Sequence, residues 1–285
     1  MSETKPIALV TGSAGILGPA IVDLLAQEGW LVAATDRSVE ERDLCEHLAG
    51  RKLKADTFIP ADLSSRAAAE TLVRQVESEL GPITALINAA TINFKRPFGE
   101  LQEEEVQAEI AVNLLAPLWL AQAALPSLSA SRGSIVNFSS IRASSPRRNT
   151  LIYSCTKAAL EKATEVLAAD LLEDGVRVNA LRVGVVPGNH FMRQAARQLP
   201  PDQAAQMARD IGPTQLARSR AAVGANCVGT PEDIARWVAI LTNPKNHFLN
   251  GEVITLDGGY LHKFPTAETS KVNVDLIQEW LNSHD

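Results

Sequence analysis

Tyr153 and Lys157 stand four residues apart in Tyr-Ser-Cys-Thr-Lys, with Ser140 thirteen residues upstream of the tyrosine. The apolar spacing at Leu151, Ala158, Leu160, Ala163, Val166, Leu167 and Leu171 predicts a helix over 151–173, which sets 153 and 157 on one face, one turn apart. An ammonium then lies beside a phenol. A free tyrosine titrates near about 10, too high for a base at neutral pH, and a fixed cation nearby favours the phenolate. The chemistry this arrangement offers is general acid/base catalysis. The same spacing also occurs on solvated helix faces, so the pair gains meaning from what accompanies it.

Its companion lies at the N-terminus, where residues 7–18 read Ile-Ala-Leu-Val-Thr-Gly-Ser-Ala-Gly-Ile-Leu-Gly. A short apolar run, a glycine turn and the start of a helical pattern form the setting that a dinucleotide fingerprint requires. Gly12, Gly15 and Gly18 permit a tight turn and close backbone approach to a pyrophosphate, and the helix start at Ile16 and Leu17 offers N–H groups to the anion. Asp36 ends the next predicted strand, 18 residues beyond Gly18. A carboxylate there accepts hydrogen bonds from ribose hydroxyls and repels a 2′-phosphate, favouring NAD over NADP. Arg37, adjacent, is a residue that can reach such a phosphate, and an aspartate after a strand can also simply cap a turn.

The rest of the chain supplies elements to position these groups. Strands are expected at 7–11, 31–35, 57–60, 83–88, 133–138, 176–182 and 252–256, short and mostly apolar on both faces, as buried parallel strands are. Helices are expected at 17–28, 39–49, 64–80, 101–125, 151–173 and 231–242, the last opened by Thr230-Pro231-Glu232-Asp233. This alternation predicts an α/β doubly wound parallel sheet, the Rossmann fold, in a single domain. With 285 residues, 46% hydrophobic, the chain is long enough for one large core. A net charge of −6 without dense basic runs argues against nucleic acid and membrane surfaces as partners. The longest nearly apolar stretch, 114–125, is short of the roughly 20 residues that cross a bilayer, and a cytoplasmic location is expected. Cys45, Cys155 and Cys227 are read as reduced thiols, and no metal site is indicated.

In order along the chain stand TGSAGILG at 11–18, Asp36, Asp62-Leu63, Asn88-Ala89-Ala90, Asn113, Ser139-Ser140, Tyr153 with Lys157, and Leu256-Asp257-Gly258-Gly259. Taken together these motifs resemble the short-chain dehydrogenase/reductase family, from the N-terminus to about Tyr260. The resemblance implies an NAD(P)-binding dehydrogenase domain over 1–260, including a substrate loop at 184–230, followed by an extension at 261–285. It implies that Tyr153 exchanges a proton with the substrate oxygen while a hydride moves to or from nicotinamide. Lys157 would lower the tyrosine pKa and bind the nicotinamide ribose, Ser140 would orient the substrate oxygen, and Asn113 would hold a water completing a proton relay. Ser139 is the alternative to Ser140, and the thirteen-residue interval selects the second serine. Asp62 and Leu63 would border adenine, Asn88, Ala89 and Ala90 would lie under the adenosine ribose, and Val186 would flank the nicotinamide. A homodimer or homotetramer is also implied.

The chain departs from the family pattern at several places. The glycines run TGxxGxxG where the single-domain branch has TGxxxGxG, and Ile16 stands where a glycine is common. Thr91 replaces the glycine that closes Asn-Ala-Ala, Val183 replaces a proline, and Gly188 replaces a threonine that commonly holds the carboxamide. The glycine spacing keeps a sugar or nucleotide-sugar dehydrogenase as an alternative, and a non-catalytic dinucleotide sensor on the same fold is a second.

The substrate is suggested by charge alone. Between 185 and 229 five arginines face two aspartates, a local balance of +3 in a chain of −6. Arg142, Arg147 and Arg148 follow Ser140, and Lys95 and Arg96 follow the fourth strand. One reading is a polar or anionic secondary alcohol or ketone gripped by Arg142, His190 and Arg193. The other leaves the arginines solvated or in a subunit contact. The 184–230 segment is long enough to act as a lid, and Val274, Ile277 and Leu281 predict a short amphipathic C-terminal helix.

Overall fold

A computed structural model describes residues 5–49, 52–187 and 228–262, together with single positions 203, 206, 210, 213, 214, 217 and 220. The apolar runs become β1 (Ile7–Thr11), β2 (Leu31–Thr35), β3 (Thr57–Phe58), β4 (Ala85–Asn88), β5 (Ser134–Ser140), β6 (Arg177–Val183) and β7 (Val253–Leu256). All neighbours pair in parallel, in the order β3-β2-β1-β4-β5-β6-β7. The order reverses between β1 and β4. In doubly wound sheets the crevice beyond the strand ends at that reversal is where ligands bind, and it is there that Gly12 and Asn88 emerge.

The helices are α1 (Gly18–Gln27), α2 (Val39–Ala49), α3 (Arg66–Glu79), α4 (Glu103–Ile110), α5 (Ala116–Ser131), α6 (Leu151–Asp170) and α7 (Pro231–Thr242). Leu72, Val76, Leu120, Leu128 and Ala168 of α3, α5 and α6 cover one face of the sheet, and Ile21, Leu25, Ile234 and Val238 of α1 and α7 cover the other. The expected single-domain Rossmann architecture is therefore present. Thr230 and Asp233 form the reciprocal capping box that opens α7.

Three expectations needed correction. The predicted helix 101–125 is interrupted by a π-helical turn at Ala111–Leu115, where the Ala116 N–H reaches back five residues to the Ala111 carbonyl. Pro117 follows and has no N–H to give the Asn113 carbonyl four residues earlier, so the regular ladder cannot run through this point. The whole helical run Glu103–Ser131 is long and apolar enough to cross a membrane by length and composition, unlike the shorter stretch read from sequence; its Ala116, Leu120, Ala124 and Leu128 pack into the core. Finally, β5 is longer than expected, because Ser139 and Ser140 pair with Arg182 and Val183. Val183, standing where a proline was anticipated, pairs on both sides, with Ser140 and Leu256.

Candidate active site

At the reversal point the glycine turn fits against the end of β4 with no space to spare. Gly12 has φ +66°, and a Cβ on it would lie 2.8 Å from the Ala89 carbonyl oxygen and from Ala90. A Cβ on Gly18 would lie 2.2 Å from the Ser13 carbonyl oxygen, so neither position admits a side chain. The Thr11 hydroxyl accepts from the Ala89 and Ala90 N–H groups, both at 3.1 Å, and fastens the Asn88-Ala89-Ala90 segment to the turn. Asp36 accepts from the Ala14 N–H at 3.0 Å and from the Arg37 N–H at 2.8 Å, which ties the end of β2 over the same turn. Arg37 leans toward Glu41, 3.2 Å away. Gly15, Ile16 and Leu17 complete the turn, and α1 begins without a side-chain cap. Asp62 is exposed and accepts from the Ser64 N–H at 3.0 Å, with Leu63 buried beneath it. Asn88 donates to Asn137 at 2.9 Å, while its buried Oδ1 has no hydrogen-bond partner. A floor closed to any Cβ, an uncapped helix start, a carboxylate at the end of β2 and an orphaned acceptor fit a dinucleotide.

The second cluster lies beyond β4 and β5. Ser140 ends β5, nearly buried, and Tyr153 and Lys157 sit one turn apart on α6 as the spacing predicted. The Lys157 Nζ donates to the Phe138 carbonyl at 2.7 Å and lies 5.7 Å from the Tyr153 ring centre. Asn113, fully buried in the π turn, accepts from the Ile92 N–H and donates to the Ile92 carbonyl, both at 2.8 Å. This two-point clamp sets the path of the chain leaving β4. A weaker bond, at 3.4 Å, runs from Asn113 to the Thr156 hydroxyl on α6. Asn113, Ser140, Tyr153 and Lys157 are thus brought together.

The electrostatics differ from the sequence expectation. Burial pushes the Tyr153 phenol above its ordinary value, hydrogen bonding to Ser140 and Thr91 and the charge of Arg142 oppose that rise, and Glu109 adds to it. Burial also pushes Lys157 down to about 7. The expected downward pull of a fixed lysine cation on the phenol is missing because the low-dielectric site disfavours that cation as well. Sequence reasoning missed Glu109, a nearly buried carboxylate accepting from the Phe94 N–H at 2.6 Å and pushed up by its own burial. No spacing signal marked it. Thr91 was visible only as a departure from the family pattern.

Of the expected substrate residues, Arg142 donates to the Ser145 carbonyl at 3.1 Å and stands 5.7 Å from the Tyr260 ring centre. Lys95 and Arg96 line a shallow, open cleft with Asn93, Phe94, Thr150 and Ile152, but Arg96 is held by both oxygens of Glu105. Val186 is half-buried, and Val185 bridges Val228, joining the two ends of the expected lid. The segment was expected as a loop, yet its described single positions are helical. His190, Arg193, Gly188, Cys227 and the amphipathic stretch after 262 lie outside the described residues.

A doubly wound sheet with a glycine turn at its reversal point and a Ser, Tyr and Lys cluster beside it defines a nicotinamide-dinucleotide oxidoreductase. Residues 6–199 match the short chain dehydrogenase family, and the chain belongs to it. It is 31% identical over 255 residues to a 3-oxoacyl-[acyl-carrier-protein] reductase of Thermotoga maritima, covering 89% of this chain and 96% of that one. Among solved structures it resembles L-sorbose reductase from Gluconobacter frateurii, complexed with NADPH and L-sorbose, with a TM-score of 0.77 at 23% identity over 92% and 98% of the two chains. It also resembles a blue fluorescent protein from a metagenomic library in complex with NADPH, with a TM-score of 0.71 at 27% identity over 91% and 99%. The chain is accordingly an oxidoreductase acting on CH–OH groups.

Proposed function

We propose that this protein is an NAD-preferring dehydrogenase or reductase of a polar secondary alcohol or its ketone, with Tyr153 as the proton-exchanging group. The observation that carries this reading is the placement of buried Lys157 one turn from Tyr153 on α6, its Nζ 5.7 Å from the ring centre, with Ser140 at the end of β5. Bound nicotinamide supplies or accepts the hydride. Tyr153 gives a proton to the substrate oxygen in reduction and takes one in oxidation, while Ser140 holds that oxygen in place. A lysine near 7 is half protonated at neutral pH, so Lys157 can pass a proton on as readily as hold one. Asn113 keeps the wall of the site in register through its clamp on Ile92.

Gly12, Gly15, Ile16, Leu17 and Gly18 would hold the pyrophosphate, with Asp36 at the adenosine ribose and Asn88, Ala89 and Ala90 beneath it. NAD preference is supported by the Asp36 carboxylate over the turn and by the engagement of Arg37 with Glu41. A polar substrate is supported by Arg142, which acts on the charge state of Tyr153 from the loop after β5.

The test is reduction of NAD and of NADP against a panel of hydroxy acids, sugars and neutral alcohols, beside Tyr153→Phe. Turnover with polar members is expected, with NAD favoured and kcat falling by about 10²–10⁴-fold in the variant. Full activity in the variant would remove the tyrosine mechanism, and a preference for NADP would remove the role given to Asp36.

A further inference from the structure

Arg142 is a half-buried cation without a counterion. Arg37, Arg96 and Arg182 each lie on a carboxylate, that of Glu41, Glu105 and Glu161 in turn. Among the described residues no carboxylate meets Arg142. Its Nη1 donates to the Ser145 carbonyl at 3.1 Å, the guanidinium stands 5.7 Å from the centre of the Tyr260 ring, and the Nε–Nη2 edge makes no hydrogen bond. A guanidinium taken partly out of water is costly without an anion, and one carbonyl and an aromatic face offset only part of that cost. The open edge is the planar fork that fits a carboxylate.

Both supports of this group are tied in place. The Arg142 N–H donates to Ser140 Oγ at 3.2 Å, and Ser145, whose carbonyl holds the guanidinium, donates its own N–H to the Ile141 carbonyl at 2.7 Å. On the other side the Asp257 carboxylate accepts from the Gly259 and Leu261 N–H groups, both at 2.8 Å, and its main-chain carbonyl accepts from the Tyr260 N–H at 3.1 Å, which fixes the turn that carries the ring. Ser140 pairs with Val183 and Val183 with Leu256, so Arg142 and Tyr260 leave the ends of β5 and β7 and meet beyond the end of β6. That is the carboxyl end of the sheet, where ligands of this fold lie. The cation is also felt at the reacting end, since its charge opposes the rise that burial imposes on the Tyr153 phenol.

We propose that Arg142, backed by Tyr260, is a carboxylate subsite, and that the substrate is a short hydroxy acid or the corresponding oxo acid. The carboxylate takes no part in the bond changes. It occupies the open edge of Arg142 and fixes which carbon faces Ser140 and Tyr153. Because the Arg142 N–H rests on the Ser140 hydroxyl, the two ends of such a substrate are held by groups two residues apart on one tied loop. This inference deepens the reading of Ser140 and Tyr153 as the groups at the reacting oxygen and rests on it.

The experiment has two arms. In the first, NAD reduction is followed with lactate and 3-hydroxybutyrate, each beside its neutral methyl ester, in the wild type, Arg142→Gln and Arg142→Lys. The wild type is expected to favour an acid over its ester in kcat/KM by about 10–10²-fold, the Gln variant to lose that preference through KM, and the Lys variant, which keeps the charge but not the fork, to recover part of it. In the second, malonate, which has no hydroxyl to oxidise, is titrated by calorimetry into the NAD-loaded wild type, Arg142→Gln and Tyr153→Phe. Binding is expected in the wild type and in Tyr153→Phe, and about tenfold weaker in Arg142→Gln. Equal malonate affinity in the wild type and the Gln variant overturns the subsite. Equal turnover of acids and esters also overturns it, while leaving a tyrosine-dependent alcohol dehydrogenase standing. Malonate held through Arg142 with no panel member oxidised supports the subsite and removes the dehydrogenase reading instead.

Discussion

Ser139 and Ser140 are consecutive residues of β5, both meet α6, and their surroundings are opposites. Ser139 donates to Glu161 at 2.6 Å, and the same carboxylate takes two bonds from Arg182, at 2.8 and 2.7 Å. That cluster is closed: a hydroxyl, a carboxylate and a guanidinium satisfy one another between α6 and β6. Ser140 has instead a main-chain N–H from Arg142 at 3.2 Å and the phenol of Tyr153. Its neighbours Asn113 and Lys157 are joined to the backbone of Ile92 and Phe138, and Thr91 is joined to the Asn113 side chain. Full mutual satisfaction makes a rigid support. A hydroxyl array around one half-buried phenol keeps the capacity to move a proton.

The largest effect expected from breaking this contrast is on the closed side. Glu161→Ala leaves the Arg182 guanidinium with only a 3.4 Å bond to Thr255 and the Ser139 hydroxyl with only a 3.4 Å bond to the Lys157 carbonyl, in a partly buried setting, and is expected to cost about 2 kcal/mol, measured by denaturant unfolding. Activity per folded molecule should survive far better than stability. Ser140→Ala is the opposite test. It is expected to lower kcat about 10²-fold with little change in the unfolding midpoint, because it removes an interaction with the reacting oxygen. Ser139→Ala sharpens the comparison further, with a loss of about 1 kcal/mol in stability and kcat nearly retained. If the two serines exchanged these phenotypes, the thirteen-residue interval would have pointed to the wrong one.

Much of this was legible because it is local. The glycines of the turn, the capping box at Thr230 and the four-residue step from Tyr153 to Lys157 are written in contiguous residues, and each appears where spacing put it. The π turn at Ala111–Leu115 was not, since apolar periodicity runs straight across it and only Pro117 hints at a lost hydrogen bond. Glu161 and Arg182 belong to different elements and find each other only through the β5–β6 register. Thr91 could be noticed as an unusual residue, but its use depends on where α4, the π turn and α6 come together. The sign of the Tyr153 shift was misjudged for a related reason. The spacing gave the neighbour's charge, and the depth of burial, which weakens that charge, is a property of the packed molecule.

Lys157 gives the smallest and most specific prediction. Its pKa is about 10.5 in an unfolded chain and about 7 here, a consequence of burial. Between these values the unfolded chain binds more protons than the folded one, so this group makes stability rise with pH across that window. Below about 7 the cost of burying the charge is fully present; above about 10.5 it is gone. Lys157→Met removes the term and also removes the bond to the Phe138 carbonyl, a loss that does not depend on pH. The Tm of the variant relative to wild type is therefore expected to be most favourable near about pH 6 and to fall by a few degrees on going to about pH 9. Thermal unfolding at the two pH values decides it. A constant difference would mean that Lys157 stays charged in the folded protein, and the half-protonated relay described for it would have to be abandoned in favour of a fixed cation beside the phenol.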